Sequence, residues 1–292
     1  MAEYAAGADP SPDGYIATLN AIASGMLIRL FFWASQGSER YDRLLEGYQK
    51  LGPYGLVWNI GPPQIEAFTE IRDRLQEDAV NPEHVGSGCI LGRLCDEGVL
   101  DETLLGNLIY MVEMGRYDTY SLFRWLTKYA AEHPECLERI AHEAGLPGGE
   151  GRSFTEAFVL ETLRMDQSER LLRKIGKDFV FDGQLFPKGA TLRICLWESH
   201  KSPEVFPEPL RFKPERFLGA DPGSDEFAPF GLDRHQCPLG DIAIRTAMLF
   251  VRKLATGYEV LPSGDGLPVR GAYHWEPASR FSVRLRHRTN PS

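Results

Sequence analysis

Phe230-Gly231-Leu232-Asp233-Arg234-His235-Gln236-Cys237-Pro238-Leu239-Gly240 is the stretch that decides how this chain is read. A Phe-Gly turn leads into a lone cysteine. An apolar-periodic run follows, with Ala243, Ala247, Phe250, Val251 and Leu254 on one face and Gly257 as a stop. The spacing predicts a helix that opens at Cys237, with Pro238 at its first position, where a missing N–H costs nothing. A helix N-terminus favours a thiolate, because its free N–H groups and its dipole stabilise negative charge. Such a thiolate is either a nucleophile or a soft metal ligand. One cysteine with no cysteine partner nearby cannot build a zinc or iron–sulfur site. It can be the single axial ligand of a haem, whose porphyrin supplies the other four ligands. The bland alternative is a buried, inert thiol, the usual state of an isolated cysteine.

The segment resembles the haem-binding loop of the cytochrome P-450 enzymes, the haem-thiolate monooxygenases. Phe230, Gly231, His235 and Cys237 match that loop. The family usually has glycine four residues before the cysteine, where this chain has Asp233. It usually has another two residues after, where this chain has Leu239 followed by Gly240. Two further motifs occur in the family's order. Glu161-Thr162-Leu163-Arg164 fits Glu-x-x-Arg, a spacing that puts both charges on one helix face. Pro214-Glu215-Arg216-Phe217 fits Pro-Glu-Arg-Phe. The resemblance implies a buried ion network of Glu161, Arg164 and Arg216, to which Arg216 adds planar bidentate donors. Asp182-Gly183, Pro187-Lys188-Gly189 and Val205-Phe206-Pro207-Glu208-Pro209 resemble the hairpin and pre-meander stretch between those motifs. The likeness runs from about Leu100 to the end.

Composition suits a packed globular enzyme: 292 residues, 43% hydrophobic and 25% charged. The net charge is −9 and no basic block occurs, which argues against nucleic acid as a partner. The five cysteines, Cys89, Cys95, Cys136, Cys195 and Cys237, are an odd number without framework spacing, as expected of a reducing, cytoplasmic setting. Residues Met1 to Tyr15 are small, polar and acidic, with no apolar signal core. The apolar stretch Ala21 to Ala34 is short and carries Arg29, so it reads as a buried helix and the chain as free of membrane.

The first two-fifths read as helices: Ile16 to Trp33, Glu39 to Leu51, Pro62-Pro63 to Ala79 and, after a loop at Asn81-Pro82, a short one near Cys89 to Glu97. Asp101 is an N-cap. From it a long helix runs to His133-Pro134, with Leu105, Leu108, Ile109, Val112, Thr119, Leu122 and Leu126 on one face. Glycine-rich Pro147 to Gly151 breaks the chain before the Glu161 helix. From Arg173 to Trp197 the pattern is β-like, turning at Asp182-Gly183 and Lys188-Gly189, and Tyr258 to Leu261 and Phe281 to Leu285 read as closing strands.

On the long helix, Met114-Gly115-Arg116-Tyr117-Asp118-Thr119 resembles the family's oxygen-binding groove, glycine followed by an acid–alcohol pair. The resemblance implies that Thr119 holds dioxygen and Asp118 relays protons to it. Gly115 lies four residues before Thr119, where the family has three. Either a local bulge absorbs the extra residue, or Tyr117 or Arg116 intrudes over the iron. The other reading is a solvated patch. For the haem propionates the resemblance implies His235, two before the cysteine, and Arg173, with Lys174 and Arg170 as alternatives in the same basic cluster.

Taken together, the expectation is a mainly α fold with a small β portion. It is a single cytochrome P-450-like domain over residues 1–292, with a helical part at 1–100 and a haem-binding core at 101–292. The family's first strands and helices have no counterpart here, and a second copy or another chain would cover the missing wall. The implied cofactor is haem b on Cys237. The implied function is monooxygenation of a small organic substrate, with electrons from a ferredoxin or flavoprotein reductase. A peroxide-driven or redox-neutral haem-thiolate enzyme, a non-catalytic haem binder and an interaction subunit are the alternatives.

Overall fold

The computed structural model describes residues 12–52, 56, 60–81, 83–86, 88–146, 151–167, 170–219, 222–270 and 275–288. The expected break at 147–150, Pro82 and the N-terminal residues 1–11 lie outside that set. The described chain forms two compact units, Asp13–Tyr120 and Ser121–Ser292. The division falls inside the long helix.

The first unit is helical. Helix α1 is Pro12–Phe32, α2 Glu39–Leu51, α3 Pro62–Ala79, α4 Ile90–Asp96, and α5, Glu102–Glu132, begins there and runs on into the second unit. Local chemistry accounts for three of these starts. The Ser38 hydroxyl accepts the Tyr41 N–H (3.2 Å) ahead of α2. Two prolines open α3. Asp101 caps α5 through the Leu104 N–H (2.7 Å), at the expected residue. Tyr41, Leu44, Tyr48 and Leu51 form the buried stripe of α2, and Ala67, Ile71 and Leu75 that of α3. The two helices approach closely at Gly47, where an added Cβ would lie 2.6 Å from Ile71 Cγ1. Arg40 ties α3 to the end of α1, donating to Asp78 (2.5 Å) and to the Phe32 carbonyl (2.6 Å). Helix α1 starts earlier than the sequence pattern suggests. Asp13–Phe32, 20 residues, is long and apolar enough to cross a membrane; its most apolar 18-residue window has a mean hydropathy of 1.5, and 44% of that window is buried in the protein.

The second unit holds the rest of α5, α6 (Pro134–Ala144), α7 (Phe154–Thr162) with a π-helical extension at Leu163–Gln167, the short α8 (Leu196–Ser199) and α9 (Gly240–Gly257). Helix α6 was not anticipated. Pro134, read as a stop, occupies the first position of the next helix, where proline fits. Among the described residues, four two-stranded antiparallel ladders make up the β portion: β1 (Arg170–Lys174) with β4 (Thr191–Cys195), β2 (Phe179–Phe181) with β3 (Gln184–Phe186), β5 (Tyr258–Ser263) with β8 (Ser282–His287), and β6 (Pro268–Arg270) with β7 (Trp275–Pro277). Asp182 (φ 48°) and Gly183 (φ 73°) close the β2–β3 hairpin, as an Asp-Gly turn should. The expected strand through Trp197 ends at Cys195 and turns into α8, and β6 and β7 were not foreseen. The core of this unit is built on Phe123, Trp125, Phe158, Phe217, Val251 and Phe281, all buried. Phe123 stacks on Phe250 of α9 at 4.1 Å between ring centres.

Candidate functional site

The cysteine loop is a closed backbone structure. The Ala228 carbonyl accepts the Gly231 N–H (3.0 Å), and the Phe230 carbonyl accepts the Cys237 N–H (2.8 Å). Between them a 3₁₀ turn, Asp233–His235, folds the chain back. Gly231 has φ 79°, and a Cβ there would meet the His235 carbonyl at 3.2 Å, so two constraints favour glycine. Asp233 stands where the resemblance leads one to expect glycine, and it keeps a left-handed backbone (φ 53°), a conformation Asp tolerates better than most residues. His235 and Cys237 are exposed, and Phe230 is half-buried.

One expectation fails here. Helix α9 begins at Gly240, not at Cys237, and Pro238 lies in the turn before it. The Phe230 ring lies against the first residue of the helix, where a Cβ on Gly240 would sit 3.2 Å from Phe230 Cγ. Cys237 precedes the helix, its carbonyl accepting the Gly240 N–H (3.3 Å). Among the described residues no group of three or more His, Cys, Asp or Glu side chains could hold a metal ion.

Behind the loop lies an ion network at the end of α7. Arg164 grips Glu161 with two bonds, Nε to Oε2 (2.7 Å) and Nη2 to Oε1 (2.9 Å). Arg216 adds Nε to Oε1 (3.1 Å), and the Lys213 N–H reaches the same oxygen (2.8 Å). Arg164 Nη1 donates to the carbonyls of His200 (2.8 Å) and Pro209 (2.9 Å), and Arg216 Nη1 to that of Pro207 (3.0 Å). The structure thus brings Glu161, Arg164 and Arg216 together. Glu161 and Arg164 are wholly buried.

Beside this network sits a group that sequence reasoning missed. The Tyr129 hydroxyl donates to Asp166, which also accepts from Trp197 Nε1 (3.2 Å). Burial, then the Asp166 charge, pushes the Tyr129 phenol well above its ordinary pKa. Lys201 Nζ donates to the carbonyls of Met165 and Arg164 (3.3 Å for the latter). Burial pulls its pKa down to about 8, with Asp166 opposing. A tyrosine, an acid and a lysine spread over 72 residues leave no spacing signal.

Asp118 and Thr119 lie on α5, half-buried, and belong to the first unit, whereas Cys237 belongs to the second. Helix α5 is α-helical throughout, so no bulge absorbs the extra residue after Gly115. Arg116 is turned into the core of its own unit. It pairs with Glu113 (2.9 Å) and donates to the carbonyls of Tyr48 (2.7 Å) and Gly52 (3.1 Å) and to the Tyr117 hydroxyl (2.7 Å). Burial raises the Tyr117 phenol to about 12.

Arg173 lies on β1 opposite Leu192 and donates to the Leu172 carbonyl (2.8 Å). Its strand borders the cysteine loop: Leu171 Cδ2 would be 3.8 Å from a Cβ on Gly231. Arg173, two residues on, shares the face of Leu171. Lys174 is exposed, and the Arg170 side chain lies outside the described residues.

A family model described as Cytochrome P450 matches residues 123–270. Abscisic acid 8'-hydroxylase 3 of Oryza sativa subsp. indica is 31% identical over 198 residues, which is 61% of this chain and 39% of the relative. Ent-kaurenoic acid oxidase 1 of Arabidopsis thaliana is 29% identical over 201 residues, 63% of this chain and 41% of the relative. The chain spans about two-fifths of the length of these curated relatives. Among solved structures, a retinoic acid-bound cyanobacterial CYP120A1 superposes with a TM-score of 0.75 at 19% identity, covering 94% of this chain and 69% of that one. That likeness is one of fold, and it agrees with a mainly helical architecture with a small β portion.

Proposed function

Because the chain belongs to the cytochrome P450 family, we propose that it is a haem-thiolate monooxygenase acting on a small organic substrate. The observation that carries this reading is the closed backbone loop that presents the exposed Cys237 just ahead of α9. Cys237 would be the axial ligand of haem b, with Phe230 beside it and His235 and Arg173 as partners for the propionates. Haem, when bound, would supply the activation of dioxygen, with electrons delivered by a ferredoxin or flavoprotein reductase. Asp118 and Thr119 would move protons and position oxygen from α5. Glu161, Arg164 and Arg216 hold the structure under the loop. Residues 1–292 would act as one catalytic domain. Five cysteines without a disulfide suit a cytoplasmic setting. The two relatives are named for abscisic acid and ent-kaurenoic acid, and the solved neighbour for retinoic acid. Apolar carboxylic acids are therefore the substrates to try first.

One observation favours a second reading. With no bulge in α5, Gly115 and the Asp118–Thr119 pair stay out of the family's register. A haem-thiolate enzyme that uses peroxide or runs a redox-neutral reaction needs no such pair, and neither does a non-catalytic haem binder.

Purified protein, reduced and exposed to carbon monoxide, should show the strongly red-shifted Soret band of thiolate ligation. Cys237→Ala should abolish it. Protein that stays colourless after haem supplementation sinks the proposal, and turnover without any reductase replaces the monooxygenase with the second reading.

A further inference from the structure

His200 is a buried titratable group with no part in the chemistry above, only 1% exposed. It ends α8, its N–H donating to the Leu196 carbonyl (2.9 Å). Its own carbonyl accepts Arg164 Nη1 (2.8 Å), which joins it to the Glu161 network. Its ring reaches the other way, and Nε2 accepts the backbone N–H of Ala228 (3.1 Å). Ala228 is the foot of the cysteine loop: its carbonyl takes the Gly231 N–H, and two residues on the Phe230 carbonyl takes the Cys237 N–H. Phe227 (5.1 Å between ring centres) and Phe206 (6.4 Å) pack round the imidazole, and Phe217 packs on Phe227 (5.0 Å). One residue therefore links the ion network to the loop through its backbone on one side and its ring on the other.

We propose that His200 is the positioning residue for Cys237: its neutral imidazole fixes the Ala228 amide and thereby the base of the cysteine loop. This rests on the haem-thiolate reading for its consequence, though not for its geometry. The bond requires an unprotonated Nε2, since a second N–H would face the Ala228 N–H. Burial first, then the charges of Lys201 and Arg164, hold the ring neutral, with a pKa lowered to about 3. The other charged groups carried by the surrounding segments are Glu161 on Arg164, Glu204 and Glu208 flanking Phe206, Glu215 and Arg216 ahead of Phe217, and Asp225 and Glu226 ahead of Phe227.

Two variants separate positioning from bulk. His200→Phe keeps an aromatic ring among the phenylalanines and removes the acceptor. His200→Gln keeps an acceptor that does not titrate. In haem-free protein at neutral pH, the Ala228 amide of His200→Phe should exchange with deuterium at least about tenfold faster than in the parent, while Val251 in α9 keeps its rate; His200→Gln should stay within about threefold of the parent. As pH falls towards 4, Ala228 protection relative to Val251 should weaken in the parent and hold in His200→Gln. Equal acceleration of Ala228 and Val251, or an unchanged Ala228 rate in His200→Phe, overturns the proposal. If His200→Phe does not fold, the acid comparison of parent and His200→Gln decides alone, and identical profiles overturn it. These measurements need no haem, so a failed Soret test leaves them standing, and the reverse holds too. In loaded protein, His200→Phe should lose the thiolate Soret position in a fraction of molecules that His200→Gln retains.

Discussion

Two helices carry the same four-residue pattern and put it to different use. Glu113-Met114-Gly115-Arg116 lies on α5 in the first unit, and Glu161-Thr162-Leu163-Arg164 on α7 and its extension in the second. Both pairs sit at i, i+3 and both are buried: Glu113 and Glu161 at 0% exposure, Arg116 at 6% and Arg164 at 0%. On an exposed helix such a pair is worth only about 0.2–0.5 kcal/mol. What separates them is the distant chain that folds onto each. Arg116 binds carbonyls at the end of α2, 68 and 64 residues away, and lies 4.4 Å from the Tyr117 ring centre. It clips the end of α2 to the middle of α5. Around Glu161, a second guanidinium and a backbone amide arrive from 55 and 52 residues away, and Arg164 goes on to hold the carbonyls of His200 and Pro209. One pair is a clip between helices; the other is the hub of the segment that leads to Cys237.

The comparison breaks most readily at Glu161. Glu161→Ala leaves Arg164 and Arg216 facing one another without their carboxylate, and removing one partner of a buried ion network typically costs about 3–5 kcal/mol. The variant should fall at the upper end, since two cations lose one anion. Soluble yield and the urea midpoint measure this. A midpoint equal to the parent's would mean that the hub supports nothing.

Arg116→Ala should cost less, about 3 kcal/mol, the low end of the same range, because it removes one cation from one carboxylate, whereas Glu161→Ala takes the anion from two cations. A paired replacement sharpens the contrast. Glu113→Leu with Arg116→Met should recover most of the loss, since buried ion pairs are often replaced by apolar residues at little cost. Glu161→Leu with Arg164→Met should not recover, because Arg216 and the Lys213 N–H still point at the removed carboxylate. Equal recovery in the two regions, read from urea midpoints, would erase the distinction between clip and hub.

This contrast also marks where the sequence is legible. The Glu161 motif could be read because its distant partner, Arg216, sits in a second motif in the expected order. The Glu113 pair has no second motif of that kind, and its distant partners include the backbone carbonyls of Tyr48 and Gly52, which no side-chain pattern announces. The same divide holds for the fold. Helices α2, α3 and α5 were legible because caps and prolines act within one turn, as at Ser38, Pro62 and Asp101. Pro134 misled because a proline ends one helix and opens another with equal ease. The closed loop carries the chain past Cys237 before α9 opens at Gly240, where the Phe230 ring packs on bare backbone, a contact outside any local rule. Asp233 is the converse case: the residue type departs from the expected glycine and the left-handed backbone stays.

The gentlest test of the hub is pH. Lys201 sits beside it, donating to the carbonyls of Arg164, Met165 and Trp197 and lying 4.1 Å from the Trp197 ring centre. Burial is the main reason its pKa falls from 10.5 to about 8; the Arg164 charge adds to this, and Asp166 and Glu161 oppose it. The sign follows from proton counting. Below pH 8 the folded and unfolded chains both hold the proton, and the folded state bears the cost of a buried charge. Between pH 8 and 10.5 the unfolded chain holds the proton and the folded chain does not, so this residue makes stability rise with pH across that window. The gain should be at most about 2–3 kcal/mol, after allowance for the part of Lys201 that water still reaches. Around the Glu113 clip, the tyrosines Tyr48 and Tyr117 are both shifted upward, Tyr117 to about 12, so this rise would belong to the hub. Urea midpoints of the parent and Lys201→Met between pH 7.5 and 10.5 test it. The parent should gain stability relative to the variant as pH rises. Parallel curves would show that Lys201 keeps its ordinary proton affinity in the folded chain and that the hub is more open to water than its buried geometry implies.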